Sequence, residues 1–119
     1  MTKVIFESGS RAAGNHTSAA FTASGYVGAR LFLDVSVPNG GTVAPKLQAM
    51  DAQSGNWVDL PGAVFPTTST TTTKQLSVRP GIAETANEAV SDVLGDTLRV
   101  IAVVATAAVT FSMSVDLVR

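Results

Sequence analysis

The chain is predicted to be all-β, an antiparallel β-sandwich or jelly roll of about seven or eight strands with at most one short helix. Three observations lead there. Residues 31–37 and 109–117 alternate apolar and polar side chains with a period of two, as strands with one buried face do. Clusters of Gly, Pro and Asn, such as Pro38-Asn39-Gly40-Gly41 and Pro80-Gly81, punctuate the chain at short intervals. Helical spacing is confined to residues 82–93, too short a stretch to stand as a helix alone. With no repeat at a solenoid or propeller period, residues 1–119 read as a single β-sandwich domain.

Taken in order, residues 3–7 suit a short strand, and the small, polar SGSRAAGNHTS follows. Residues 1–16 are expected to form an extended N-terminal arm. Residues 17–24 predict a weak strand ending at Ser24-Gly25. The next strand is stronger: Leu31, Leu33, Val35 and Val37 face one way, Arg30, Phe32, Asp34 and Ser36 the other. Pro38 cannot donate to a ladder and Asn39-Gly40 readily takes positive φ, so a hairpin turn is expected there. The return strand, Thr42 to Asp51, places Lys46, Gln48 and Met50 on one face, and Pro45 suggests an edge or a bulge. A polar turn from Asp51 to Asn56 leads into a strand from Trp57 to Leu60, stopped by Pro61-Gly62, so a second hairpin is expected to close here. The run TTSTTTT at 67–73 is rich in β-branched residues and feeds a strand with Leu76 and Val78 inward. Residues 82–93 are expected to be a loop or one or two helical turns crossing an end of the sandwich.

Residues 94–119 are the most apolar part of the chain. Two runs joined by Ala105-Thr106-Ala107 read as a β-hairpin. In the second, Val109, Phe111, Met113, Val115 and Leu117 share a face. In the first, Leu98, Val100, Ala102 and Val104 share one face, but Ile101 and Val103 make the other apolar too. A strand with two apolar faces is covered on both, within the domain or by another subunit.

Composition limits the function classes. Charged residues are 14% of the chain, against a usual value of about 25%. A net charge of −1 supplies no long-range field for phosphate, so neither nucleic acid nor a membrane is an expected partner. The absence of cysteine excludes disulfides and thiolate metal sites. MTKVIFESGS lacks the apolar core of a secretory signal and Arg99 interrupts the longest apolar run, so a soluble protein made in the cytoplasm is expected.

No catalytic, cofactor or metal residues are expected. His16 is the only histidine, placed by its neighbours in a solvated loop, and no Gly-x-Ser-x-Gly context accompanies it. Asn15-His16-Thr17 matches a glycosylation sequon by accident of composition. Asp51, Asp59, Asp92 and Asp96 lie near turns without the spacing of a calcium loop, and read as turn-forming aspartates. Gly40-Gly41 lacks the lysine-bearing helix of a phosphate loop. What remains is a set of interface candidates: Arg30, Arg79 and Arg99 on or at the ends of strands, the single tryptophan Trp57, and Ile101 with Val103. Asp34 and Asp96 are candidate ion-pair partners for the arginines.

The order RLFLDVSVPNGGTVAPKLQAMDAQSGNWVDLPGA, LSVRPGIAETAN and LGDTLRVIAVVATAAVTFSMSVDLV resembles a group of short structural proteins of tailed bacteriophages. The shared layout is a strand ending in Leu-x-Val, a Gly-Thr turn, an Asp-x-x-Ser-Gly-x-Trp turn, a strand running into Pro-Gly-Ile, then Leu-x-x-Thr-x-Arg-Val and a final alternating strand. Leu98 stands where the layout often has an aromatic residue, keeping the position apolar. The resemblance implies a non-enzymatic virion protein, made in the host cytoplasm and carried on the capsid surface as a decoration or cement protein. Its implied partners are the major capsid protein and further copies of itself, a trimer suiting a three-fold axis. Alternatives are a neck or tail component, or a carbohydrate-binding module using Trp57 for attachment to a host surface.

Overall fold

Ten strands build the computed structural model, which describes residues 1–119: β1 (Thr2–Arg11), β2 (Gly14–Thr17), β3 (Phe21–Thr22), β4 (Gly28–Val37), β5 (Thr42–Met50), β6 (Trp57–Val64), β7 (Thr72–Val78), β8 (Ala89–Val90), β9 (Thr97–Ala105) and β10 (Val109–Val118). One sheet has the order β1-β10-β4-β7-β8; the other has β2-β9-β5-β6, with β3 also on the edge of β9. Every pairing is antiparallel except the short one of β7 with β8. The fold is thus an all-β sandwich without a helix. Seven strands are long; β2, β3 and β8, of four, two and two residues, are too short to be seen as sequence periodicity.

Alternation sets the core. Leu31, Leu33 and Val35 of β4, Leu76 and Val78 of β7 and the five odd-numbered apolar residues of β10 face inward from one sheet. Leu98, Val100, Ala102 and Val104 of β9, with Val43 and Leu47 of β5, meet them from the other. Their burial against one another supplies the main driving force for folding.

Two of the three turns expected to close hairpins instead carry the chain from one sheet to the other. Gly41 N–H does bond the Pro38 carbonyl at 2.8 Å, and Asn39 and Gly40 have φ of 52° and 75°, but β4 and β5 lie in different sheets. The connection from β9 to β10 is likewise an arch, turning through Thr106 at φ 75°. An arch lets two strands oppose their apolar faces across the core, whereas a hairpin sets them side by side. The two arches touch: a Cβ on Gly41 would collide with the Ala107 carbonyl oxygen and come within 2.8 Å of Val109 Cγ2. The Asp51–Asn56 turn is a true hairpin, joining β5 to β6 within one sheet.

Residues 1–16 are strands rather than an arm. β1 pairs with β10, the Met1 amino group donates to the Leu117 carbonyl at 2.9 Å, and Thr2 Oγ1 donates to Asp116 at 2.6 Å. After Arg11 the chain crosses to the other sheet, where β2 pairs with β9. Two irregularities between Val4 and Gly9 shift the register of β1, so consecutive Ile5 and Phe6 are both buried. Arg11 secures this segment, donating to the carbonyls of Gly9, Phe111 and Glu7 at 3.1, 3.0 and 2.7 Å. Its guanidinium lies 4.9 and 4.7 Å from the Phe6 and Phe111 ring centroids.

Other boundaries also move. A register shift at the end of β4 turns Val37 outward, 53% exposed, against the expectation that it faces the core. Pro61-Gly62 does not end β6; it forms a bulge, and the strand continues to Val64. Pro45 lies in an interior strand, beside the irregular part of its pairing with β6. Within 67–73, Thr68 is buried and exchanges two 3.0 Å backbone bonds with Val43.

Candidate functional site

The outer face of the β2-β9-β5-β6 sheet gathers four of the six interface candidates. Alternation along β9 turns Arg99, Ile101 and Val103 away from the core, and the register sets Arg99 opposite Gln48, Ile101 opposite Lys46 and Val103 opposite Ala44. On the far side of β5, Gln48 faces Asp59 and Met50 faces Trp57. Arg99, Gln48 and Asp59 therefore form one row across three strands. Arg99 Nε donates to Gln48 Oε1 at 2.8 Å, and Gln48 Nε2 donates to Asp59 Oδ1 at 2.7 Å. Lys46 completes the row with a 3.1 Å salt bridge to Asp59 Oδ2, the only salt bridge in the structure.

The Arg99 guanidinium also lies 4.3 Å from the centroid of the Trp57 ring. Stacking and the Nε bond fix its plane, while its terminal nitrogens make no hydrogen bond within the chain. Gln48 is only 8% exposed although it faces outward, because its neighbours close over it. The hydrogen bond from Gln48, then the hydrogen bond and positive charge of Lys46, hold the Asp59 carboxyl below the usual aspartate range. Beside this polar row lies an apolar strip of Ile101, half-buried, with Val103 and Val64 at 38% and 36% exposure. A planar cation fixed on an aromatic ring, beside small apolar side chains, is suited to contact with another protein surface.

Arg30 and Arg79 belong elsewhere. Both line a cleft on the opposite sheet, with Arg119. Neither Asp34 nor Asp96 pairs with an arginine; Asp34 accepts instead from Thr73 Oγ1 at 2.9 Å. His16, expected in a loop, is in β2 opposite Ala102, and its Nε2 donates to the Ala12 carbonyl at 2.7 Å. That bond braces the crossing from β1 to β2. No three His, Cys, Asp or Glu side chains come together as metal ligands. Asp51 acts within its turn, accepting from Ser54 Oγ at 2.8 Å and Gln53 N–H at 3.0 Å, which lowers its pKa in that order of effect. Lys46, Gln48 and Asp59 are the site residues that sequence reasoning missed; the signal available was the outward placement of Lys46 and Gln48 on β5.

No protein-family model matches the chain, and no curated protein matches its sequence. Its fold is similar to part of a chain in the structure of infectious bursal disease virus, Gx strain. That match has a TM-score of 0.53 at 12% identity and covers 99% of this chain and 31% of the viral one. A chain of the Gt strain structure matches with a TM-score of 0.45 at 12% identity, covering 99% of this chain and 32% of that one. The chain thus spans about a third of the length of the structures it matches. At this identity the likeness is one of fold.

Proposed function

We propose that this chain is a non-enzymatic structural protein of a virion, decorating or cementing the capsid of a tailed bacteriophage. It binds the major capsid protein through the outer face of the β2-β9-β5-β6 sheet. The observation that carries the reading is the joining of Trp57, Arg99, Ile101 and Val103 on that single outer face, over which no further strand of the chain packs. The sandwich fold, shared with part of a chain in a virus structure, supports it. So does the resemblance of the turn and strand signatures from Arg30 onward to small phage structural proteins. Such a protein works by binding alone, and many weak contacts across a symmetric lattice add through avidity. Glycan stacking on Trp57 is disfavoured because the Arg99 guanidinium already occupies a face of the ring.

The test is to add the purified chain to emptied or expanded tailed-phage capsids. Binding that raises the capsid melting temperature, and that weakens in Trp57→Ala and Arg99→Ala, supports the reading. Failure to bind capsids, together with co-purification on necks or tails, replaces it with the neck or tail assignment.

A further inference from the structure

A second surface carries an inference independent of the capsid reading. Where β4, β7, β8 and β10 meet, a cleft of about 490 Å³ has Ile82, Ala83 and Val118 among its apolar lining and carries Arg30, Arg79 and Arg119. Three of the eight cationic side chains thus converge in a chain of net charge −1. The only acid lining the cleft is Asp116, which accepts a hydrogen bond from Thr2. None of the three guanidinium groups has a carboxylate within salt-bridge distance. Arg119 stacks on Tyr26 at 5.0 Å from the ring centroid, leaving its N–H groups unused.

The chain also carries the complementary chemistry. Residues 82–96 hold Glu84, Glu88, Asp92 and Asp96 and no cation, and none of these acids forms a salt bridge. Beside Asp92, Val93 is 68% exposed, more than any other large hydrophobic side chain. An exposed apolar side chain next to a carboxylate matches an apolar cleft set with arginines. We propose that the cleft receives the Asp92-Val93 segment of a second copy of this chain. Val93 packs against Ile82 and Val118, and Asp92 accepts bonds from the arginines, whose planar groups suit carboxylates. So small a contact is weak between free chains, and is reinforced wherever copies are held close together.

Sedimentation equilibrium of the full chain tests this. Self-association is expected at low ionic strength and should weaken by roughly tenfold or more near 1 M salt, where screening acts within about 3 Å. Arg79→Glu and Asp92→Arg, each confirmed as folded by circular dichroism, should sediment as monomers when alone. Mixed in equal amounts they should associate again, because the reversed cleft of one meets the reversed segment of the other. Val93→Ser, which leaves every charge in place, should weaken association by about tenfold. A chain that stays monomeric at low salt, or variants that associate like the parent, would overturn the contact. Neither result bears on capsid binding, which is measured separately.

Discussion

Ser18 and Val100 exchange two hydrogen bonds where β2 has ended. Ser18 N–H donates to the Val100 carbonyl at 2.9 Å, and Val100 N–H donates to Ser18 Oγ at 2.9 Å. The hydroxyl stands in for the backbone carbonyl that a longer β2 would have offered. Ser18→Ala leaves a buried N–H without an acceptor, which costs about 1–3 kcal/mol. Urea unfolding should show a lower midpoint with an unchanged slope; an unchanged midpoint would mean that water replaces the hydroxyl.

Gly41 is required by contact between the two arches. A methyl group there meets the Ala107 carbonyl and Val109, both held by core packing, so Gly41→Ala should lose roughly 1–3 kcal/mol. Gly9→Ala is the control. Its added Cβ has no neighbour closer than the Glu7 carbonyl oxygen at 4.0 Å, and the change should stay within about 0.5 kcal/mol. Equal effects at both positions would count against close packing of the arches.

Arg11 holds the irregular part of β1 by three carbonyl contacts and two aromatic faces. Arg11→Ala should destabilise the fold by about 1–2 kcal/mol, and Arg11→Lys should recover less than half, because an ammonium group lacks the plane and the fork. Hydrogen exchange should quicken first at residues 5–10. Full recovery by lysine would reduce the residue to a simple charge.

Asp59 links the outer-face row to pH. Its pKa is lowered in the folded state, so its contribution to stability is present above the unfolded value, about 3.9, and is lost as pH falls through the folded one. Being largely exposed, it contributes little, and the sharper readout is its titration by NMR. Gln48→Ala should raise the Asp59 midpoint, and high salt should raise it less, since salt screens Lys46 but leaves the Gln48 hydrogen bond. A midpoint indifferent to Gln48 would contradict the row.

Ile101→Lys separates the outer face from the core. Ile101 is half-buried between Thr17 and Lys46, so the variant should fold and lose binding to capsids. Should it fail to fold, Val103→Lys, at the 38% exposed neighbour, makes the same measurement.

Most of the sandwich is legible in the sequence because alternation is a local property. The inward and outward sets of β4 up to Ser36, and those of β9 and β10, follow from residue type alone, and with them the exposure of Arg99 and Val103. Sheet membership is not local. Asn39-Gly40 turns the chain equally well within a sheet or between sheets, and the choice is made by core packing across the sandwich. Irregular register hides the rest. Ile5 and Phe6 cannot both face inward in a regular strand, and Val64 meets Lys46 only because the bulge at Pro61-Gly62 absorbs the extra residues of β6. Arg11 left no mark in the sequence, since its partners are backbone carbonyls, the ring of Phe6 behind an irregular register, and the distant Phe111.

The pairing of β1 with β10 joins residues 2–11 to residues 109–116. On a ribosome β1 therefore waits, unpaired, until residues 109–116 have emerged. Its partner strand must itself dock beside β4 before the pairing can close. Folding should be slow for the chain's size, as expected where contacts are remote in sequence. The waiting strand, with Ile5 and Phe6 uncovered, is then the segment most exposed to misassembly or to capture by a chaperone.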